Sequence, residues 1–246
     1  MICFVEGPRA QQALLDRCRG SAFGCKLAGM VKAYGFDQRL VQFWLSQTAA
    51  YGLLEGQMVL CGRPEDPAEA RAFLAALGPG SVLCQKEAAA GLGLVVKNQG
   101  KVLKKRLPAK TWAKMGAERN SQNMESLKKI HTLLRQWNMA GDFEPFYLDL
   151  SHRLRHGVAM VETYQKGEAL LGCAVAAAVT KEGALLSAVA VQSGWQGKGI
   201  GSQLVGRIEA ALPGKSLYVL REEGKNQRFY QRLGYDERES WLEGGG

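Results

Sequence analysis

The sequence predicts an α/β protein of the α+β kind, with a mixed sheet, and three observations carry that expectation. From about residue 120 onward, helical and strand periodicities follow one another as two helices, three strands, a long helix, a further strand and a short helix. Between the third strand and the long helix lies a glycine-rich turn, Gln196 to Gly201. In the first half, QMVLCGRPEDPAEARAFLAALGPGSVLCQKEAAAGLG reads as strand, turn, helix, strand, helix, an echo of the order that closes the second half.

Each element rests on its own pattern. SLKKIHTLLRQWN places Leu127, Ile130, Leu133, Leu134 and Trp137 at helical spacing. DFEPFYLDLSHRLRHG carries Phe146, Leu150 and Leu154 four apart, and Gly157 ends it as a helix C-cap. VAMVETYQ, ALLGCAVAAAVT and ALLSAVAVQ are three strands separated by the turn-like KGE and KEG. After the turn and its amphipathic helix come SLYVLREE, a strand, and KNQRFYQRLGYDE, a short helix; the terminal GGG reads as a frayed tail. The first 110 residues are less legible outside the βαβα echo. These patterns divide the chain into residues 1–115 and 116–246.

At 246 residues and 46% hydrophobic content, the chain is long and apolar enough for one large domain or two ordinary ones. MICFVEGPRA has no basic region followed by an apolar run, so it does not read as a signal peptide. The longest apolar stretch, Leu170 to Val179, is about half a membrane span. A cytoplasmic protein without membrane partners is expected. The six cysteines, at 3, 18, 25, 61, 84 and 173, form no CxxC and read as reduced core residues. His152 and His156 stand four apart without a third ligand at metal-site spacing, so no metal is expected.

A net charge of +9 favours an acidic ligand or partner. Basic residues dominate from Lys97 to Arg135, which reads foremost as a solvated strand edge and a polar inter-domain segment. Only Trp112 interrupts them before Trp137, too little for base stacking, so nucleic acid is not the expected partner.

The glycine turn carries the chemistry. Gly197, Gly199 and Gly201 alternate where a helix presents unpaired N–H groups and the positive end of its dipole, a place that favours anions. Lys198 adds a full charge beside them. A P-loop would require Ser or Thr after Lys198, and the dinucleotide fingerprint GxGxxG would need its third glycine one residue later. The turn does match [QR]xxGx[GA], through Gln196, Gly197, Lys198, Gly199, Ile200 and Gly201. Downstream, Phe229, Tyr230, Gln231, Arg232, Leu233, Gly234 and Tyr235 match FYxxxG followed by an aromatic residue.

These two motifs, in this order, resemble motif A and the closing motif of the GNAT acetyltransferase superfamily. The resemblance covers the C-terminal half and implies a GNAT-like acyl-CoA N-acyltransferase fold, in one copy or in tandem. In the first half the corresponding turn is GRPEDP. Glu65 and Asp66 would repel phosphate and the prolines remove donors, so that half reads as a degenerate copy without coenzyme, or as a different α/β domain.

The resemblance further implies an enzyme that moves the acetyl group of acetyl-CoA to an amine by direct attack in a ternary complex, without metal. Gln196, Gly197, Lys198, Gly199, Ile200, Gly201 and Ser202 would hold the pyrophosphate. The backbone of Val189, Ala190 and Val191 would run along the pantetheine, with one N–H polarising the thioester carbonyl. Tyr230 would protonate the leaving thiolate, its ordinary pKa of about 10 lying close to that of a thiol. The family's asparagine seven residues before that tyrosine is replaced by Glu223; Asn226, four before it, is the remaining candidate for the pantetheine contact, or a cap for the short helix. The strand LLSAVAV lacks the acid that some relatives use as base, leaving Glu162, through water ordered by Ser187 or Gln192. His152 and Arg153 lie where related enzymes form the acceptor site. The acceptor itself, a small-molecule or peptide amine, is left open. A non-catalytic acetyl-CoA-binding regulator is the alternative, and a basic nucleic-acid-associated module a third reading.

Overall fold

The computed structural model describes residues 1–36, 39–109 and 124–245. In chain order the elements are β1 (Cys3–Phe4), α1 (Gly7–Arg17), α2 (Ala22–Tyr34), β2 (Val41–Leu45), β3 (Ala49–Leu54), β4 (Gln57–Gly62), α3 (Pro67–Leu77), β5 (Ser81–Gln85) and β6 (Val95–Arg106). There follow α4 (Met124–Arg135), α5 (Phe143–Arg155), β7 (Met160–Lys166), β8 (Ala169–Val179), β9 (Gly183–Val191), α6 (Ile200–Ala210), β10 (Ser216–Glu222), α7 (Gln227–Arg232) and β11 (Asp236–Gly245). The chain forms two compact units, residues 1–105 with 218–246, and residues 106–217. The expected boundary at 115/116 and Trp112 lie outside the described residues.

In the first unit the strands follow the order β1-β2-β3-β4-β5-β11-β6-β10. β1 to β4 pair antiparallel. β4 and β5 pair parallel through the crossover of α3, whose start is fixed by Pro67 in its first turn and by Asp66, which accepts from Ala68 N and Glu69 N at 2.9 and 3.0 Å. Gly78, left-handed at φ +61°, ends it. A short 3-10 segment, Lys86–Ala89, stands where the sequence suggested a helix. β6 lies between β11 and β10, an interior strand and not the edge that its lysines suggested.

Of the expected frayed tail, the described Gly244 and Gly245 are instead the end of β11. This strand pairs antiparallel with β5 on one side and β6 on the other, and Gly244 and Gly245 are in register with β6. Glycine is needed there because a Cβ on Gly244 would come within 2.8 Å of the Val95 carbonyl oxygen. β11 also gives Leu242 to a core of Trp44, Tyr51, Met58, Leu60, Leu74 and Val82.

The second unit is an antiparallel meander, β7-β8-β9, with helices on both faces. Leu127, Ile130, Leu133 and Leu134 of α4 and Leu150 of α5 cover Cys173, Val175, Ala188 and Ala190. On the opposite face, Ile200 and Leu204 of α6 lie against Gly172. Coverage on both faces explains why β8 reads as an unbroken apolar run rather than an alternating one. α5 ends at His156 with Gly157 behind it in the left-handed region, as expected of a C-terminal glycine.

Five of the six cysteines are buried and all six are free thiols. Burial pushes the Cys84 and Cys173 thiols up to about 12, which makes them poor nucleophiles. Among the described residues, no helix is long and apolar enough to cross a membrane.

Candidate active site

β9 carries an irregularity that sets up the site. Its register against β8 runs Val175↔Ala188, then Ala176↔Leu186, leaving Ser187 as the extra residue of a bulge. The Ser187 hydroxyl donates to Val175 O at 3.0 Å, which pins the bulge. Beyond it Val189, Ala190 and Val191 regain register as far as Gly172. Ala190 points into the core under α4, so Val189 and Val191 face the other side of the sheet.

The strand end is then tied down. Gln192 donates through its backbone N to Leu171 O at 2.9 Å and through Nε2 to Leu170 O at 2.8 Å. A 3-10 turn, Ser193–Trp195, follows, and the Gln196 side chain reaches back to Val191 O at 3.5 Å. Gly197 and Gly199 adopt φ +75° and +79°, and a Cβ built on either would meet nothing within 4 Å. The left-handed backbone requires glycine, and the space in front of the turn is open. Gly199 is the N-cap of α6, and among the described residues no side chain caps it. The first N–H groups of α6 therefore lack intrahelical partners and point toward that space. Ile200 is buried against Gly172 and fixes the helix in place, while Gly201 and Ser202 form its first turn, Ser202 being exposed. The turn has the donor set and the room that a pyrophosphate needs.

Two cations gather beside it. Lys198 Nζ lies 4.3 Å from the centroid of the Trp195 ring and Lys166 Nζ, from the end of β7, 5.3 Å from the same ring. Neither Trp195 nor Lys166 was singled out in the sequence, because nothing in local spacing brings residue 166 to residue 195.

Glu162 sits half-buried on β7. Burial raises its carboxyl above the ordinary range, and Arg207 of α6 pulls it partly back. Arg207 is itself oriented by donating to Thr163 O at 3.0 Å. It too went unnoticed in the sequence, where it is one basic residue on an amphipathic helix.

The acceptor candidates fare differently. Arg153 is buried, its Nε within 2.7 and 2.8 Å of the two Asp149 oxygens and its Nη1 3.2 Å from Ala177 O. That geometry gives it a structural task. His152 is half-buried, its ring 4.1 Å from that of His156, whose Nδ1 lies 2.9 Å from His152 O. Among the described residues, no three His, Cys, Asp or Glu side chains group closely enough for a metal ion.

Tyr230 and Asn226 belong to the first unit. Asn226 is exposed, left-handed at φ +53°, and occupies the N-cap of α7 without a side-chain capping bond, so the expected cap is not made. Tyr230 is buried with its ring 4.9 Å from Phe229 and 5.6 Å from Tyr235. Burial pushes its phenol up to about 12. It stays protonated at neutral pH but is a weaker acid than the solvated phenol that a match to a thiol would call for. Glu223, at the family's asparagine position, accepts from Gln99 Nε2 at 2.8 Å.

Residues 155–237 match the family model described as acetyltransferase (GNAT) domain. No curated protein matches the sequence. Among solved structures, a GCN5-related N-acetyltransferase from Kribbella flavida is 14% identical, with 91% of this chain and 93% of that one covered at a TM-score of 0.61. A tandem GNAT protein from the clavulanic acid biosynthesis pathway is 12% identical, covering 99% and 97% at 0.57. A Drosophila protein is 11% identical, covering 100% and 99% at 0.64. At such identities the likeness speaks for the fold, which extends over the whole chain. With the glycine turn, the bulged strand and the family match in one stretch, residues 155–237 are similar to the acetyltransferase (GNAT) domain, and the chain has the fold of solved GNAT proteins.

Proposed function

We propose that this chain is a cytoplasmic N-acetyltransferase that moves the acetyl group of acetyl-CoA to the primary amine of a small molecule or peptide. The observation that carries this reading is the uncapped start of α6 behind two left-handed glycines, open in front and flanked by Lys198. Gln196 to Ser202 would hold the pyrophosphate, and the backbone of Val189, Ala190 and Val191 the pantetheine. The amine nitrogen attacks the acetyl carbonyl, a C–N bond forms as the C–S bond breaks, and Tyr230 hydrogen-bonds or protonates the departing sulfur. A lysine-type amine must first lose its proton, which costs about 4.6 kcal/mol at neutral pH. Glu162, with its raised carboxyl, is a suitable acceptor through water.

The division into residues 1–115 and 116–246 is part of the proposal, with the first half a copy of the fold that has lost its coenzyme. Its support is Asp66, whose carboxylate takes the α3 N–H groups that the corresponding turn at Gly199 leaves open.

The weakened acidity of Tyr230 and the lack of an acid on β9 favour one rival, an acetyl-CoA-binding regulator without turnover. Release of free thiol from acetyl-CoA across a panel of amines, with wild type and Tyr230→Phe, separates the two. Turnover that falls at least about tenfold in Tyr230→Phe, with acetyl-CoA affinity kept, supports the enzyme. Binding without turnover on any amine selects the regulator, and absence of acetyl-CoA binding overturns both.

A further inference from the structure

Arg221, the penultimate residue of β10, is buried, and its guanidinium grips three acceptors within its own unit. Nη2 donates to Glu237 Oε1 on β11 at 2.8 Å, and Nη1 to the backbone oxygens of Glu222 and Lys225 at 3.1 and 3.2 Å. The two carbonyls belong to the last residue of β10 and to the third of the four residues, 223–226, that join β10 to α7. Arg221 is fixed at its own backbone as well, since its carbonyl accepts from Trp241 Nε1 at 3.1 Å. Other ties of the loop include Lys225 N to Glu222 O at 3.2 Å, Glu223 N to Gln99 O at 3.0 Å, the Gln99 Nε2 bond to the Glu223 carboxylate and an ion pair between Lys225 and Glu222.

Stability alone is a poor explanation for this arrangement. The arginine Nε is buried with no partner among the described residues, so the side chain is desolvated without full compensation. What a planar fork does, and an apolar residue of that size would not, is hold two carbonyls and a carboxylate at fixed mutual positions. The chain leaves that clamp at Lys225, enters the left-handed Asn226, and starts α7, where Tyr230 N bonds to Asn226 O at 3.2 Å.

We infer that Arg221 is the positioning residue of the β10–α7 loop, clamped between Glu237 and the loop carbonyls so that Asn226 and Tyr230, the residues proposed to meet the coenzyme, are held in one fixed geometry within their own unit. This rests on the reading of α7 given under the proposed function. It places the control of α7 in a buried arginine at the end of the strand that leads into it. A lysine at this position would donate from a single point and could not span the three acceptors.

The test uses the full chain with Arg221→Gln, Arg221→Lys and, as a gentler variant that keeps the arginine, Glu237→Gln. Amide hydrogen exchange of residues 222–230 is compared with that of β4 and β8, together with ultraviolet titration of Tyr230, assigned by difference from the Tyr230→Phe background, and acetyl-CoA affinity by calorimetry. The expected result is exchange at least about tenfold faster in that segment alone, without rescue by lysine. The Tyr230 phenol should titrate lower as its burial relaxes, and acetyl-CoA should bind more weakly. Unchanged exchange and titration in Arg221→Gln and Glu237→Gln overturn the inference. Faster exchange with unchanged acetyl-CoA affinity and turnover upholds Arg221 as the loop's anchor and overturns instead the reading of α7 as a coenzyme element.

Discussion

Arg153 lays its guanidinium against both carboxylate oxygens of Asp149, one helical turn earlier on α5, at 2.7 and 2.8 Å. The same side chain donates to Ala177 O on β8, so one buried arginine joins the helix to the middle of the meander. Its own exposure is 6% and that of Asp149 27%.

Arg153→Met should therefore act on stability before anything else. It leaves a partly buried carboxylate without its partner and a strand carbonyl without its donor, a loss of roughly 2–4 kcal/mol once the exposure of Asp149 is allowed for. Urea unfolding should show the midpoint falling while acetyl-CoA affinity per folded molecule stays the same. A variant of wild-type stability that loses turnover with amines would return Arg153 to the acceptor site.

Gly199→Glu should remove acetyl-CoA binding, because the new carboxylate stands in the space before the α6 N–H groups. The left-handed backbone adds a strain of about 1–2 kcal/mol, so melting should fall by a few degrees without loss of the fold. Gly199→Ala carries the same strain with a methyl in place of the charge. Calorimetry should find its affinity between that of wild type and that of the glutamate variant. Equal affinity in all three would mean that the turn does not meet the coenzyme.

Asp66→Ala removes the acceptor of two α3 N–H groups, Ala68 and Glu69, and should cost about 1 kcal/mol of stability. Acetyl-CoA stoichiometry should remain at one per chain, since the first half is read as lacking a coenzyme site. A second equivalent bound in the variant, or in wild type, would contradict that reading.

The extent to which the sequence is legible follows the range of the interactions. Gln196 to Gly201 can be read because the turn is local: its glycines answer to their own φ and to the next helix turn. β8 is legible because burial on both faces leaves no polar residue to interrupt it. β11 is hidden, since its glycine end has little strand propensity and its pairing with β5 and β6 depends on residues far back in the chain. The same holds for single side chains. Arg207 meets Thr163, Arg221 meets Glu237, and Lys166 meets Trp195 across strands whose order no periodicity reports. Arg153 shows the converse, a charged residue on a helix whose three internal acceptors, two Asp149 oxygens and Ala177 O, no periodicity reports.

Glu162 supplies the pH dependence. Its carboxyl lies above the ordinary value of 4.5, mainly through burial, with Arg207 opposing. A carboxyl raised in the folded state binds its proton more tightly there than in the unfolded chain. Its contribution is therefore fully present below the ordinary carboxylate range and is lost as pH rises through the raised value. Glu162→Gln, which cannot ionise, should match wild type in acid and become the more stable of the two as pH approaches neutrality, by less than about 1 kcal/mol given its half-exposed setting. Unfolding curves across that range test the sign, and a difference that shrinks as pH rises would mean that the carboxylate is stabilised in the fold. The catalytic consequence runs in parallel. If Glu162 receives the amine's proton through water, wild-type turnover should fall on the acid side with an apparent pKa above that of an ordinary glutamate. That limb should vanish in Glu162→Gln along with most of the rate, about 10²-fold for a general base. Retention of both rate and limb in the variant would leave Glu162 as a half-buried strand residue and move the base elsewhere.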